Sequence, residues 1–464
     1  MSELPKGWSI ATFDDVIYSI TNGLNGKQNK DGNGIPVSRI ESIASQVVDM
    51  SRIGYLNEYD DETLEKYRLQ QGDVLFSHIN SPAHIGKTAI CEDGIALYHG
   101  VNLLRIVLNG TIEPQLFNYY CKFIRARGDF SSNAQHAVNQ SSLNQKKIKL
   151  FEIVLPAKQE QTRIANKLDS ILAKVDKAQA RLNKIPAILK RFRQSVLAAA
   201  TSGELTKEWR EVNGVNRSTW SSVRLDEVCH SVSDGDHQAP PKADSGVPFL
   251  VISNVSRGSI DFEKVSRWVP NEYFEQLKEI RTPQRGDILY TVTGSYGIPV
   301  KVETDKKFCF QRHIAIIKAN VEVIDRGFLF VFLSSPLAFE QATKLSTGTA
   351  QKTLPLRGLR GFSLESPSLE EQKEIAKNVQ CLFSKANKVE KQYLDAKARL
   401  DRLTQSILAK AFRGELVPQD PNDEPAEQLL ERILKERLSQ QQKADKPKKT
   451  TKKRATKAKV EDKG

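Results

Sequence analysis

Residues 168–196 read LDSILAKVDKAQARLNKIPAILKRFRQSV, with apolar side chains at Leu168, Ile171, Val175, Ala178, Leu182, Ile185, Leu189, Phe192 and Val196. The steps alternate between 3 and 4, which puts all of them on one stripe of a helix and makes the heptad seam of a coiled coil. Moving 211 positions along the chain gives the seam again, as Val379, Leu382, Ala386, Val389, Tyr393, Ala396, Leu400, Leu403 and Ile407. The flanks repeat as well: RFRQSVLAAATSGEL at 191–205 faces RLTQSILAKAFRGEL at 402–416, identical at nine of fifteen positions. Two long helices of equal length, each preceded by a globular segment, are therefore expected. Seam positions differ between the copies, Ile185 against Ala396 and Val175 against Ala386, so the two surfaces are not identical. That asymmetry favours packing within one chain, most simply as an antiparallel, pseudo-twofold pair.

Working outward, residues 1–155 form the first globular segment. Short strands are expected over 35–40, 73–77, 103–108 and 151–155, and a helix over 114–126. Residues 21–34, TNGLNGKQNKDGNG, read as a flexible loop, and 133–145 are crowded with amide and hydroxyl side chains. Pro156 ends the last strand and Gln159-Glu160-Gln161 opens the first long helix, which is kinked at Pro186 and stopped by Gly203. The second globular segment starts near Trp220, as the first does near Trp8; Pro367 ends it and Glu370-Glu371-Gln372 opens the second helix. QGDVLF at 71–76 matches RGDILY at 285–290, while Gly86 matches Gly297 and Gln140 matches Gln351. One insertion separates the copies, HINSPAHIG at 78–86 against VTGSYG at 292–297. The expected division is 1–156, 157–208, 209–367, 368–417, and 418–464 for a short helix and a disordered Lys-rich tail. The fold class is α+β, two mixed segments with two long helices.

Composition narrows the function. At 464 residues, 39% hydrophobic and 27% charged, the chain is that of an ordinary soluble protein of more than one domain. It has no run of eighteen apolar residues, and MSELPKGWSI has neither the basic start nor the apolar core of a signal peptide, so a cytoplasmic protein without a membrane span is expected. Five widely spaced cysteines fit reduced thiols in such a compartment. The net charge of +13 points to a polyanion. Residues 441–464 hold nine Lys and one Arg against three acids, or +7, leaving +6 on the other 440 positions. That surplus is modest for a body holding DNA alone, so a further subunit is expected to help.

Catalytic motifs do not emerge. Gly86-Lys87-Thr88 ends like a phosphate-binding loop, but such a loop needs glycine where Ser81 stands. There is no GxGxxG after a strand, no Asn-Pro-Pro-Tyr type tetrapeptide, and no histidine pair at metal spacing, so no metal or cofactor site is expected in this chain. What remains are polar, loop-rich faces of the residue types that read base edges. In the first segment these are Asn25, Lys27, Gln28, Arg39, His78, Asn80, His84, Lys87, Gln135, Asn139 and Gln140. In the second they are His237, Gln238, Lys242, Asn254, Arg257, Thr293, Ser295, Tyr296, Thr349, Gln351, Lys352, Arg357 and Arg360.

The two GDxL(F/Y) strands, the Pro-x-x-x-Glu-Gln helix openings at 156–161 and 367–372, LKRFRQSVL at 189–197 and LTQSILAKAFRGEL at 403–416 together resemble the specificity subunit of a type I restriction–modification enzyme. The resemblance covers nearly the whole chain. It implies two target-recognition domains, each reading half of a bipartite double-stranded DNA target, with paired helices as a ruler between them. It also implies two methyltransferase subunits that use S-adenosylmethionine and two motor–nuclease subunits that use ATP and Mg. Two other readings stand beside it: a self-contained restriction or modification enzyme with an unrecognised catalytic site, and a coiled-coil structural protein with a nucleic-acid-binding tail.

Overall fold

The computed structural model describes residues 4–57, 59–138, 140–235, 240–349 and 351–444. The chain forms two compact units, Met1–Ala180 with Lys397–Gly464, and Arg181–Ala396. Each is built on the same plan.

In the first unit a four-stranded antiparallel sheet runs in the order Ile17–Asn22, Leu104–Leu108, Val74–Phe76, Thr88–Ile90. The second unit repeats it as Cys229–Asp234, Ile314–Ala319, Ile288–Thr291, Pro299–Lys301. The GDxL motif accounts for the central strand. Gly72 and Gly286 sit at φ +86° and +98°, a conformation that favours glycine, and let the chain turn sharply into the strand. The next residue closes the turn: Gln70 N–H donates to Asp73 Oδ2 and Gln284 N–H to Asp287 Oδ2, both at 2.8 Å. Each buried carboxylate then meets a cation from the neighbouring strand, Arg105 at 2.8 Å and Lys318 at 2.6 Å.

Trp8, Ala11, Phe13, Leu116, Phe117 and Phe130 fill the first core, with the helix Pro114–Arg127 laid across it. Val232, Tyr290, Phe328, Phe332 and Phe362 do the same in the second. Ser9–Thr12 pairs antiparallel with Glu152–Leu155, and Ser221–Arg224 with Ser363–Ser366, so the entry and exit strands of each globular segment lie side by side at the root of its helix.

The helices depart from equality. The first is two pieces, Lys158–Leu182 and Ile185–Ser202, with Pro186 in the first turn of the second piece. Proline tolerates that position because its missing N–H has no helical partner there. The second helix runs unbroken for 43 residues, Leu369–Ala411, where Lys397 stands in place of the proline. Within the second unit the pieces run antiparallel: Arg193 bonds Glu390 at 2.7 Å, while Arg210, further along, bonds Glu371 at 2.7 Å. Within the first unit Ile164 and Leu168, early in their helix, pack with Ile407, Leu408 and Ala411, late in theirs.

The seam is also wider and less uniform than a strict heptad stripe. Leu168, Leu189, Val196, Val379, Ala386 and Ile407 are buried, but Phe192, Val389 and Leu403 stay 38%, 43% and 46% exposed. A second row, Ala165, Leu197 and Leu408, is buried instead. The reason is that these helix ends also face their globular segments and need a broader apolar face.

The stretch 21–34 differs from a flexible loop. Thr21 and Asn22 finish a strand, Leu24 is buried and bonded through its backbone to His99 and Val101, and Asn29 exchanges two backbone bonds with Tyr55. Its glycines permit close approach: a Cβ on Gly23 would lie 2.3 Å from His99 O. After Leu416 the chain continues into a helix, Ala426–Ala444, whose Ala426 and Leu430 pack on the first core. The Lys-rich tail beyond 444 lies outside the described residues.

Candidate nucleic-acid interface

In the first unit the ends of the sheet surround an open cavity of about 710 Å³, lined by Asn22, Ile40, His78, Ile79, Asn80, Ser81, Val101, Asn102 and Gln140. The amide-rich stretch forms one wall: Gln135–Ala137 and Gln140–Ser142 make a hairpin, and Gln140–Ser142 also pairs with Ile79–Asn80. Three of the residues singled out by sequence, His78, Asn80 and Gln140, thus converge. Asn22 and Asn102 join them and were missed. Asn22 is the last residue of one strand of the sheet and Asn102 lies two residues before another, so an amide at a strand end was the available signal.

Chemically the cavity is lined by carboxamides that offer both donors and acceptors. Asn80 Nδ2 donates to Ser77 Oγ at 3.1 Å and its Oδ1 accepts from Ser81 N–H at 2.8 Å, leaving one donor and one acceptor site. His78 Nδ1 is buried without a protein partner, and burial lowers the pKa of the ring below its ordinary value. Gln135 is exposed on the hairpin; Asn139 lies outside the described residues.

Other first-segment residues do different work. Lys87 Nζ donates to Ala44 O at 2.5 Å, and burial with nearby Arg125 lowers its pKa. Arg39 pairs with Glu41 at 3.2 Å. Gln28 is wedged against Gly54 and Gly100, where a Cβ would meet its amide at 2.8 and 3.2 Å. Asn25 accepts the Tyr59 hydroxyl through its backbone carbonyl. Lys27 and His84 are exposed, and Lys87 lowers the pKa of His84.

The second unit carries the same hairpin region in reduced form, as backbone bridges Thr293↔Thr353 and Thr347↔Thr353. Thr293 is thereby buried, while Ser295, Thr349, Gln351 and Lys352 are exposed around it. The Tyr296 ring stacks on Phe339, centroids 5.8 Å apart and planes at 4°, and its hydroxyl bonds Thr343 Oγ1 at 3.2 Å. Lys242, Arg257 and Arg357 are exposed; His237 and Gln238 lie outside the described residues. Two residues are tied to backbone groups instead, buried Asn254 and exposed Arg360. Asn254 is buried, with Oδ1 accepting from Val251 N–H at 2.9 Å and Nδ2 donating to Asp261 O at 3.2 Å, so its amide closes a turn. The Arg360 guanidinium donates to Val232 O at 3.0 and 2.7 Å and acts as a strut.

Against this geometry the comparisons are decisive. The family model for the type I restriction modification DNA specificity domain matches residues 5–187 and 217–396, one match on each repeat. The chain belongs to that family. It is 33% identical to the putative type I restriction enzyme MjaX specificity subunit of Methanocaldococcus jannaschii, over 82% of this chain and 88% of that subunit. It is 31% identical to the type I restriction enzyme EcoBI specificity subunit of Escherichia coli, over 92% of this chain and 91% of that one. A solved chain from work on assembly and conformational transition of the type I R-M system shares the fold, with TM-score 0.66 and 18% identity over 89% of this chain and all of that one. As a type I specificity subunit the protein is a DNA-recognition component, and nothing in these relatives supports the reading of a self-contained modification enzyme. Among the described residues no helix is long and apolar enough to cross a membrane.

Proposed function

We propose that each repeat reads one half of a bipartite double-stranded DNA target. In this reading two methyltransferase subunits supply S-adenosylmethionine-dependent adenine chemistry and two motor–nuclease subunits supply ATP- and Mg-dependent cleavage, all in the cytoplasm. The observation that carries it is the duplication itself. The same sheet and the same turn recur in both units, while the polar rims around them differ. One scaffold with divergent loops suits two specificities. Of the sequence candidates, His78, Asn80, Gln135, Gln140, Gln351, Lys352 and Arg357 fit base reading best.

The chain is to be expressed with its partner subunits and methylated adenines mapped genome-wide. One bipartite motif is expected, and exchanging residues 1–155 for those of a relative should change one half of it only. Absence of motif-dependent methylation, or a change in both halves, would overturn the proposal. The helices are proposed to set the unspecified spacer. Four residues inserted after Ala198 add about 6 Å of helix and should lengthen the preferred spacer by roughly one or two base pairs. An unchanged spacer optimum at near-normal affinity would remove the helices from that role.

A further inference from the structure

The turn that follows the GDxL strand differs between the repeats in length and in charge. Both turns close the same way: Gly86 N–H donates to Ser77 O and Gly297 N–H to Thr291 O, each at 2.9 Å, with the glycines at φ +73° and +85°. Between those ends the first turn holds three more residues. It is held firmly. Ser81 O accepts from His84 N–H at 2.9 Å and Ile85 N–H at 3.0 Å, and the buried Ile85 side chain joins the core. Arg125, from the helix Pro114–Arg127, straps the turn from the side: Nη2 donates to Ala83 O at 2.6 Å and Nε to Ile85 O at 3.3 Å. At its foot Lys87 Nζ donates to Ala44 O at 2.5 Å. Pro82, Ala83 and His84 stand exposed at the tip, while Asn80 and Ser81 line the cavity. The second turn is capped by rings instead. A Cβ on Gly297 would lie 2.8 Å from Phe339, the ring that stacks on Tyr296.

The strap leaves charge uncompensated. Arg125 spends two of the five guanidinium N–H groups and Lys87 one of its three, so both keep donors in reserve. No carboxylate of a described residue pairs with either cation. Lys87 and, after burial, Arg125 lower the pKa of His84, and burial with Arg125 lowers that of Lys87, so the three bases share one small region. Bringing like charges together is unfavourable, and an anion between them removes the repulsion. A phosphate accepts several charge-assisted N–H bonds at once, and phosphate contacts are what set a protein's register on a duplex. A turn already fixed by its own bonds takes one without first having to be ordered.

We infer that the turn Ser77–Gly86 is a phosphate clamp, in which Arg125, Lys87 and His84 take one phosphodiester of the DNA beside the cavity, while the shorter, ring-capped turn of the second unit takes none. The clamp rests on the half-site reading proposed above and adds the contact that sets the register of the first half.

The test uses the full chain in complex with its methyltransferase subunits and duplexes carrying its mapped target, with single phosphodiesters replaced by neutral methylphosphonates. One linkage in one half-site, or two neighbouring ones, should weaken binding about tenfold when neutralised. That penalty should vanish in Lys87→Gln and in Arg125→Gln. Each variant should also weaken target and random duplex by the same factor and lower the slope of log affinity against log salt by about one. Lys87→Arg restores the charge and should recover both the penalty and the slope, which a merely loosened turn would not predict. Variants that keep the full penalty and the parent salt slope would overturn the clamp. A loss confined to the specific target would overturn it as well, by making the turn a base reader. Inhibition of the unaltered complex by inorganic phosphate beyond that by chloride at equal ionic strength, with no penalised linkage, would assign the cations to a free anion and reject DNA. If target and random duplex bound equally while the variants still lost affinity and salt slope, the half-site reading would fall and the clamp would stand.

Discussion

The indole Nε1 of Trp220 donates to Glu371 Oε2 at 2.9 Å, and 212 residues earlier Trp8 gives Glu160 the same bond at 2.8 Å. The neighbouring glutamines complete the joint. Gln161 Oε1 accepts from Glu113 N–H at 2.9 Å, Gln372 Oε1 accepts from Asp325 N–H at 2.7 Å, and both amides donate back to Pro156 O and Pro367 O. The Glu-Gln pair thus fastens each helix to its globular segment. The two joints differ in one respect. Glu371 Oε1 also takes Thr206 Oγ1 and Arg210 Nη1, each at 2.7 Å, whereas Glu160 Oε1 is buried without a protein partner. The places of Thr206 and Arg210 are held in the first unit by Val417 and Pro421.

Glu371→Ala should therefore destabilise the second unit strongly, by about 3–5 kcal/mol, because it leaves the buried Arg210 guanidinium unpaired. Glu160→Gln should cost less than about 1 kcal/mol, since an amide oxygen still accepts from Trp8. Denaturant unfolding of both variants checks this; equal losses would mean that Arg210 adds nothing.

The same joint gives a pH dependence. Burial raises the pKa of Glu160 above its ordinary 4.5, so the folded protein favours the protonated carboxyl. Its contribution is fully present below the unfolded value and is lost as pH rises through the folded one. The stability of the Glu160→Gln variant relative to the parent should therefore improve from acid towards neutral pH. A difference independent of pH in unfolding experiments would show that Glu160 keeps its ordinary pKa.

At the end of the second rim, Arg357 and Arg360 should separate. Arg360 is exposed like Arg357 but donates twice to Val232 O, so Arg360→Ala should cost about 0.5–1.5 kcal/mol of stability. Arg357 is exposed, so its truncation should change stability by less than about 0.5 kcal/mol. Arg357→Ala is instead expected to weaken binding to the specific target more than to random DNA. Melting temperatures and competition binding on the two variants distinguish the roles.

The proline break predicts an asymmetry between helices. Lys397→Pro puts a proline inside the unbroken helix Leu369–Ala411 and should cost about 3 kcal/mol or more. Pro186→Ala, in a first turn, should change stability by less than about 1 kcal/mol. Circular dichroism melts report both, and comparable losses would contradict the assigned helix starts.

The Lys-rich tail calls for a separate measurement. Removing residues 441–464 takes away a charge of +7, which should weaken binding to every sequence and flatten its salt dependence. A loss confined to the specific target would instead make the tail part of base recognition.

Much of this was legible in the sequence because it depends on periodicity and local rules. The heptad steps and the recurring flanks located both helices, and the GDxL repeat located both central strands. Loops were harder. Residues 21–34 look free because their glycines and polar residues give no apolar period, yet backbone pairing to Tyr55, His99 and Val101 fixes them, and only tertiary structure supplies those partners. Polar side chains posed the same problem. Composition cannot tell Asn254, which closes a turn, from Asn22, which lines a cavity. The difference lies in whether a backbone group stands within hydrogen-bond reach.

The first unit is closed by segments from opposite ends of its sequence. Phe412 packs against Tyr120 and Phe123 with ring centroids 4.9 and 5.4 Å away, and Ile407, Leu408 and Ala411 cover Ile164 and Leu168. The second unit, Arg181–Ala396, is contiguous. On the ribosome the second unit has all its residues before the first has its cover. A nascent chain must therefore carry the apolar face of Tyr120, Phe123, Ile164 and Leu168 uncovered while more than two hundred further residues are made, a wait of roughly 10–40 s at about 5–20 residues per second. Through that interval the half-built first unit is the part of the molecule most exposed to aggregation and to chaperones, and the arrival of residues 407–412 ends it.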